Sequence, residues 1–153
     1  MRLVVQRVTS AAVRVDREVV GQIGRGAVTL LGIAAGDDQV VADRMADKLA
    51  GLRYFPDAEG RTNLTLAEVD GSFLVISQFT LYADLRRGRR PGFTDAALPD
   101  AAAPLVERFV ERLRTLGHRV ETGRFGAMME VELVNDGPFT LVLDSARDLA
   151  AND

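Results

Sequence analysis

Apolar and polar residues alternate along the first third of the chain. Val4, Gln6 and Val8 interleave with Val5 and Arg7, Val13 and Val15 flank Arg14, and Val19-Val20-Gly21-Gln22-Ile23 continues the pattern. A period of two suits strands with one face buried. Asp16-Arg17 and Gly24-Arg25-Gly26 supply turns between them, and an antiparallel meander is predicted. The next run, residues 27–34, is apolar throughout, as a strand covered on both faces would be, so it should lie centrally.

From 38 to 53 the period lengthens. Val41, Met45, Leu49 and Leu52 fall at helical spacing behind Asp37-Asp38, which offers an N-cap. Turn chemistry at Pro56-Asp57-Ala58-Glu59-Gly60 leads through a short polar segment to a strand over residues 72–77, and a loop is predicted over 82–99. A second helix places Ala102, Leu105, Val106, Phe109, Val110, Leu113 and Leu116 on one face, with Gly117 as its C-cap. Strands are predicted at 119–122, 128–134 and 139–144. The pattern as a whole predicts a mixed α/β fold: one domain over residues 1–153, a largely antiparallel sheet covered by two helices.

Composition narrows the chemistry. A chain of 153 residues can bury roughly two-thirds of its unfolded surface. It has no cysteine, which excludes disulfides, thiolate nucleophiles and Cys-based metal sites, and its single histidine, His118, excludes a His-rich metal site within one chain. Neither metal nor cofactor is expected. His118 follows a helix end and reads as a surface residue rather than a catalyst. No apolar run approaches the roughly 18 residues a membrane span needs, and Met1-Arg2-Leu3-Val4-Val5 reads as a strand, not a leader; a cytoplasmic protein is expected. The net charge of −3 argues against coating nucleic acid by bulk electrostatics. Arg86-Arg87-Gly88-Arg89-Arg90 is either a solvated loop or a local phosphate contact.

Two short blocks carry the remaining chemistry. Ser77-Gln78-Phe79-Thr80 stands where a strand runs out, so backbone N–H groups there are free to meet a ligand oxygen. Phe79 is either core or a stacking surface for an unpaired base. Asn135-Asp136-Gly137-Pro138 is either a plain turn or a cis Gly-Pro element whose carbonyls exclude a substituent on one face of a bound Cα. Neither block holds a conventional nucleophile and base.

Several motifs in order resemble one family: Val5-Gln6-Arg7-Val8, Leu30-Leu31-Gly32, Ser77-Gln78-Phe79-Thr80-Leu81, Gly88-Arg89-Arg90-Pro91-Gly92-Phe93, Thr122-Gly123-Arg124-Phe125-Gly126-Ala127 and Asn135-Asp136-Gly137-Pro138. The sequence resembles the D-aminoacyl-tRNA deacylases, which hydrolyse the ester joining a D-amino acid to tRNA. The resemblance implies a barrel-like sheet and a homodimer with its active site at the subunit interface. It implies that Gly137 and Pro138, cis, form a chiral filter entering the neighbour's pocket, with Arg7 holding that loop. Ser77, Gln78, Phe79 and Thr80 would bind the 3′-terminal adenosine of aminoacyl-tRNA and line the ester, and Phe125 and Met129 would lie near the amino acid and adenine. Phe139 departs from the family's usual valine.

An aminoacyl ester is already activated, so positioned water and an oxyanion hole suffice for its cleavage. Backbone N–H groups at Phe79 and Thr80, aided by the terminal ribose 2′-OH, are preferred to Thr80 as a nucleophile, because no nearby motif supplies Thr80 with a base. A filter that rejects L side chains cannot reject glycine, so Gly-tRNA is an expected poor substrate. Two other classes stay open: an RNA-end binder without ester cleavage, and a small-ester or peptide hydrolase, for which no Gly-x-Ser-x-Gly elbow or His relay is present.

Overall fold

The computed structural model describes residues 1–149. Its first strand, β1 (Arg2–Val15), is one continuous element that takes different partners along its length. Its first half pairs antiparallel with β3 (Gly26–Gly32), its second half with β2 (Glu18–Ile23), and its other edge with β8 (Glu130–Asp144). The predicted meander is therefore corrected: β3 returns to the start of β1 instead of pairing with β2. Beyond β3 the sheet runs parallel through β6 (Ser72–Ser77) to β7 (Arg119–Thr122). β2 then folds over toward β7, close enough that a Cβ on Gly21 would stand 2.5 Å from the Thr122 carbonyl oxygen. The sheet is thereby nearly closed into a barrel.

β3 sits between β1 and β6 with nearly every residue buried, because two cores share it. Phe73 and Val75 of β6 and Ala27 and Leu31 of β3 face a large core under the helices. Leu74, Ile76 and Val28 face a smaller one with Val8, Ala11, Val13 and Ile23. Alternation along a strand thus shows as unbroken hydrophobicity when both faces are covered.

The helices are α1 (Gln39–Gly51), α2 (Pro99–Thr115) and a single turn, α3 (Ser145–Asp148). Asp38 caps α1 by accepting from the Val41 N–H at 2.9 Å. α2 starts three residues earlier than its apolar face suggests, with Pro99 at the first helical position. The chain turns out of it just past the Leu116 C-cap, at Gly117, whose φ of 92° only glycine adopts freely. Asp43 and Asp47 of α1 face Arg108 and Arg112 of α2 in two ion pairs; Asp43 meets Arg108 and Asp47 meets Arg112, so the two helices run in the same direction. The polar segment after Pro56 is the second half of a hairpin, β4 (Arg53–Pro56) with β5 (Thr62–Thr65). The two predicted strands at 128–134 and 139–144 are one, β8, interrupted by an outward loop.

Candidate active site

The Ser77–Thr80 block leaves β6 and tightens at once into a 3₁₀ turn over Phe79–Tyr82. That turn is fixed from behind. The Gln78 N–H donates to the Leu31 carbonyl at 2.8 Å, and Arg2 donates to the Leu81 carbonyl at 2.6 Å while its other nitrogens hold Asp144. Gly32 lets the turn approach: an added Cβ would meet Leu81 Cβ at 3.0 Å and the Gln78 carbonyl at 3.1 Å. At the front, Leu81 is the first N–H to bond back, to Gln78. The N–H groups of Phe79 and Thr80 precede it, and the Gln78 side chain does not cap them. That side chain instead donates to the Thr80 hydroxyl.

Phe79 is 57 % exposed, so it is not a core residue. It lines an apolar cavity of about 350 Å³ with Ser77, Gln78, Phe125 and Phe93. Phe93 packs edge-on to Phe79, ring centres 5.0 Å apart, and Ala96, Leu98 and Pro99 continue the wall into α2. Ser77 and Phe125 also border a wider groove of about 580 Å³ that carries Arg108 and Arg114. Met129 lies elsewhere, packed in the smaller core, and Gly123 leaves room for its sulfur.

The second block is a bulge in the β1–β8 ladder. Gln6 pairs with Thr140 and Val8 with Asn135, so two steps along β1 match five along β8 and the surplus is extruded. Gly137-Pro138 stands at the tip, exposed, with its peptide bond cis. Asn135 closes the base, donating to the Arg7 and Phe139 carbonyls at 2.8 and 2.9 Å. Arg7, only 11 % exposed, holds the side of the loop. It donates to the Asp136 carbonyl at 3.1 Å and the Tyr54 carbonyl at 2.8 Å, pairs with the Asp136 carboxylate at 3.3 Å, and lies 4.6 Å from the centre of the Phe139 ring. The larger Phe139 side chain is thus absorbed between Arg7 and Tyr54.

These two blocks do not meet within one chain. From β8 to β6 the sheet crosses β1 and β3, three spacings or ~14 Å. Along the strands, Arg7 pairs with Ala27 whereas Ser77 pairs with Leu31, four residues or ~13 Å further. Among the described residues the far edge of β8 is unpaired, and the strand carries the exposed residues Val131, Val134 and Val142.

His118 lies outside both blocks, half-buried against the Phe73 ring at 5.2 Å, and burial lowers its pKa. Among the described residues no three His, Cys, Asp or Glu side chains come together as metal ligands, and no helix is long and apolar enough to cross a membrane. Phe93 and Asn135 fall inside motifs read from the sequence, which gives neither side chain a role of its own. Phe93 sits in a segment with loop composition, and the Asn135 side chain acts through backbone groups that sequence does not position.

Comparison with known proteins settles the family. The family model for D-Tyr-tRNA(Tyr) deacylase matches residues 4–144. The chain belongs to that deacylase family. It is similar to the D-aminoacyl-tRNA deacylases of Symbiobacterium thermophilum (60 % identical, covering 96 % of this chain and 97 % of that one) and Roseiflexus sp. (61 %, covering 95 % and 94 %). Among solved structures, the c-Myc DNA Unwinding Element Binding Protein superposes with a TM-score of 0.89 at 38 % identity, covering 95 % of this chain and 99 % of that one. A probable eukaryotic D-amino acid tRNA deacylase shares the fold at 0.81 and 20 % identity, covering 93 % and 97 %. Both blocks lie inside the residues matched by the deacylase family model.

Proposed function

We propose that this chain hydrolyses the ester of D-aminoacyl-tRNA to free D-amino acid and tRNA, as a translation quality-control enzyme of the cytoplasm. Family membership supports the reaction; the geometry supports how it is done. The observation that carries the reading is the separation of the blocks. A pocket of Ser77, Gln78, Phe79 and Phe125 lies on one part of the sheet, and an exposed Gly137-Pro138 tip, braced by Arg7, lies too far away to serve it. A second copy supplies the missing half: in a two-fold dimer each Gly137-Pro138 enters the other's pocket. The free edge of β8 offers unpaired backbone groups for that association.

The adenine of the 3′-terminal nucleotide stacks in the apolar cavity, and its ester carbonyl faces the N–H groups of Phe79 and Thr80, which stabilise the oxyanion. Gly137-Pro138 of the second copy then bars an L side chain on steric grounds and passes D side chains and, slowly, glycine. Met129 acts from behind Gly123, through packing, rather than at the cavity wall.

Thr80 is not the nucleophile in this scheme. Its hydroxyl accepts from Gln78 and donates to no base among the described residues. Water attacks instead, placed by the terminal ribose 2′-OH. Thr80→Ala is therefore expected to keep activity within about tenfold of wild type, and a tRNA ending in 2′-deoxyadenosine to lose turnover. Single-turnover hydrolysis of D-Tyr-tRNA checks both; full activity on the deoxy substrate with loss in Thr80→Ala reverses the assignment.

A further inference from the structure

Beside the adenosine pocket stands a charged loop that the proposed reaction does not use. Asp84 and Gly92 bond to each other through both backbone groups, at 2.7 and 2.9 Å, and tie off residues 85–91 as a projecting loop. Gly88, with φ of 69°, turns its tip. Asp84 grips Arg86 with two bonds of 2.8 and 2.9 Å, which leaves Arg87, Arg89 and Arg90 exposed, with no ion pair or hydrogen bond from their side chains among the described residues.

By contrast, Arg2, Arg7, Arg108 and Arg112 each hold a carboxylate. Residues 84–95 carry four arginines against two aspartates, Asp84 and Asp95, so the segment is positive in a chain whose net charge is −3. Its position gives the charge a use. Phe93 follows the loop directly and forms a wall of the pocket against Phe79. On another wall, Phe125 is preceded by Arg124, also exposed and without a partner among the described residues.

We propose that Arg87, Arg89 and Arg90, with Arg124, take the phosphates of the unpaired nucleotides that lead to the 3′-terminal adenosine of an RNA. The proposal rests on the proposed function for the direction of the strand. Chemically it requires only a single-stranded polyphosphate leaving a base-stacking pocket. Guanidinium forks match phosphate oxygens, and exposed unpaired arginines give up no internal partner to make such contacts. The loop supplies affinity and register, not base readout.

The test uses the full-length protein with Arg87, Arg89 and Arg90 all changed to Ser, leaving Arg86 and its Asp84 lock intact. Binding of uncharged tRNA is measured against salt, and hydrolysis is measured on D-Tyr-tRNA and on D-tyrosyl-adenosine, which has no upstream phosphates. Three lost contacts reduce the log–log salt slope by about 2 on single-stranded RNA, so the tRNA Kd and KM should rise about tenfold or more at low salt, with D-tyrosyl-adenosine hydrolysed as by wild type. An unchanged Kd and salt slope overturns the proposal, as does equal damage to both esters. If the wild type cleaves neither ester but the variant still loses tRNA binding and slope, the loop assignment stands and the hydrolytic reading falls.

Discussion

Arg7→Ala is expected to reduce D-aminoacyl ester hydrolysis by about a hundredfold or more, although Arg7 lies outside the pocket proposed to hold the ester. The guanidinium is nearly buried and is the shared partner of the Asp136 carboxylate and of two carbonyls, those of Asp136 and Tyr54. Alanine leaves the two carbonyls without this donor, a cost of about 2–4 kcal/mol, while the Asp136 carboxylate, 39 % exposed, turns to water, and the Gly137-Pro138 tip is freed. Urea unfolding reads the first effect and single-turnover hydrolysis the second. Mixing extends the result. Phe79→Ala damages the pocket and leaves the loop intact, so in the proposed dimer a mixed pair with Arg7→Ala would have one site built from two sound halves. Equal mixing of two inactive variants should restore about a quarter of wild-type activity, since half the dimers are mixed and each has one of two sites. No recovery after subunit exchange would place the site within a single chain.

Gly26→Ala is the second large effect, on the fold itself. β3 and β6 begin their parallel ladder at Gly26 and Ser72, and a Cβ at Gly26 would lie 1.9 Å from the Ser72 carbonyl oxygen and 2.8 Å from its nitrogen. Both atoms are backbone, so no side chain can swing away; the strands must part where the two cores meet. A loss of about 3 kcal/mol or more is expected, which lowers the Tm by roughly 10 °C in a chain of this size. Gly24→Ala, two residues away with nothing within 4 Å of the added carbon, is the matched control. Equal Tm values for the two variants would contradict the tight β3–β6 contact.

Much of this fold was legible in alternation and helical spacing, and the exceptions have physical causes. Asp38 caps α1 as its position predicts, and the all-apolar run became the central strand. The parallel β3–β6–β7 pairing was hidden because hydrophobic pattern marks burial and not strand direction. α2 began early because Pro99-Asp100 opens it with polar, exposed residues that its apolar face does not register. The continuity of β8 was hidden by Asn135-Asp136-Gly137-Pro138, whose turn chemistry reads as an end, although the ladder resumes beyond it. At the site, the two blocks could be found from their residue types, and Phe79 could be weighed but not decided until its exposure was known. Phe93 and the Arg7 contacts depend on long-range packing, which no local pattern encodes.

The most direct measurement is hydrolysis of D-Tyr-tRNA and L-Tyr-tRNA, side by side, at low enzyme concentration. Loss of the D ester with the L ester intact is the predicted result, with Gly-tRNA cleaved only at higher enzyme. Cleavage of both chiral esters would contradict the assignment of Gly137-Pro138 as the filter, and cleavage of neither, with tRNA still bound, would make the chain an RNA-end binder and not a hydrolase.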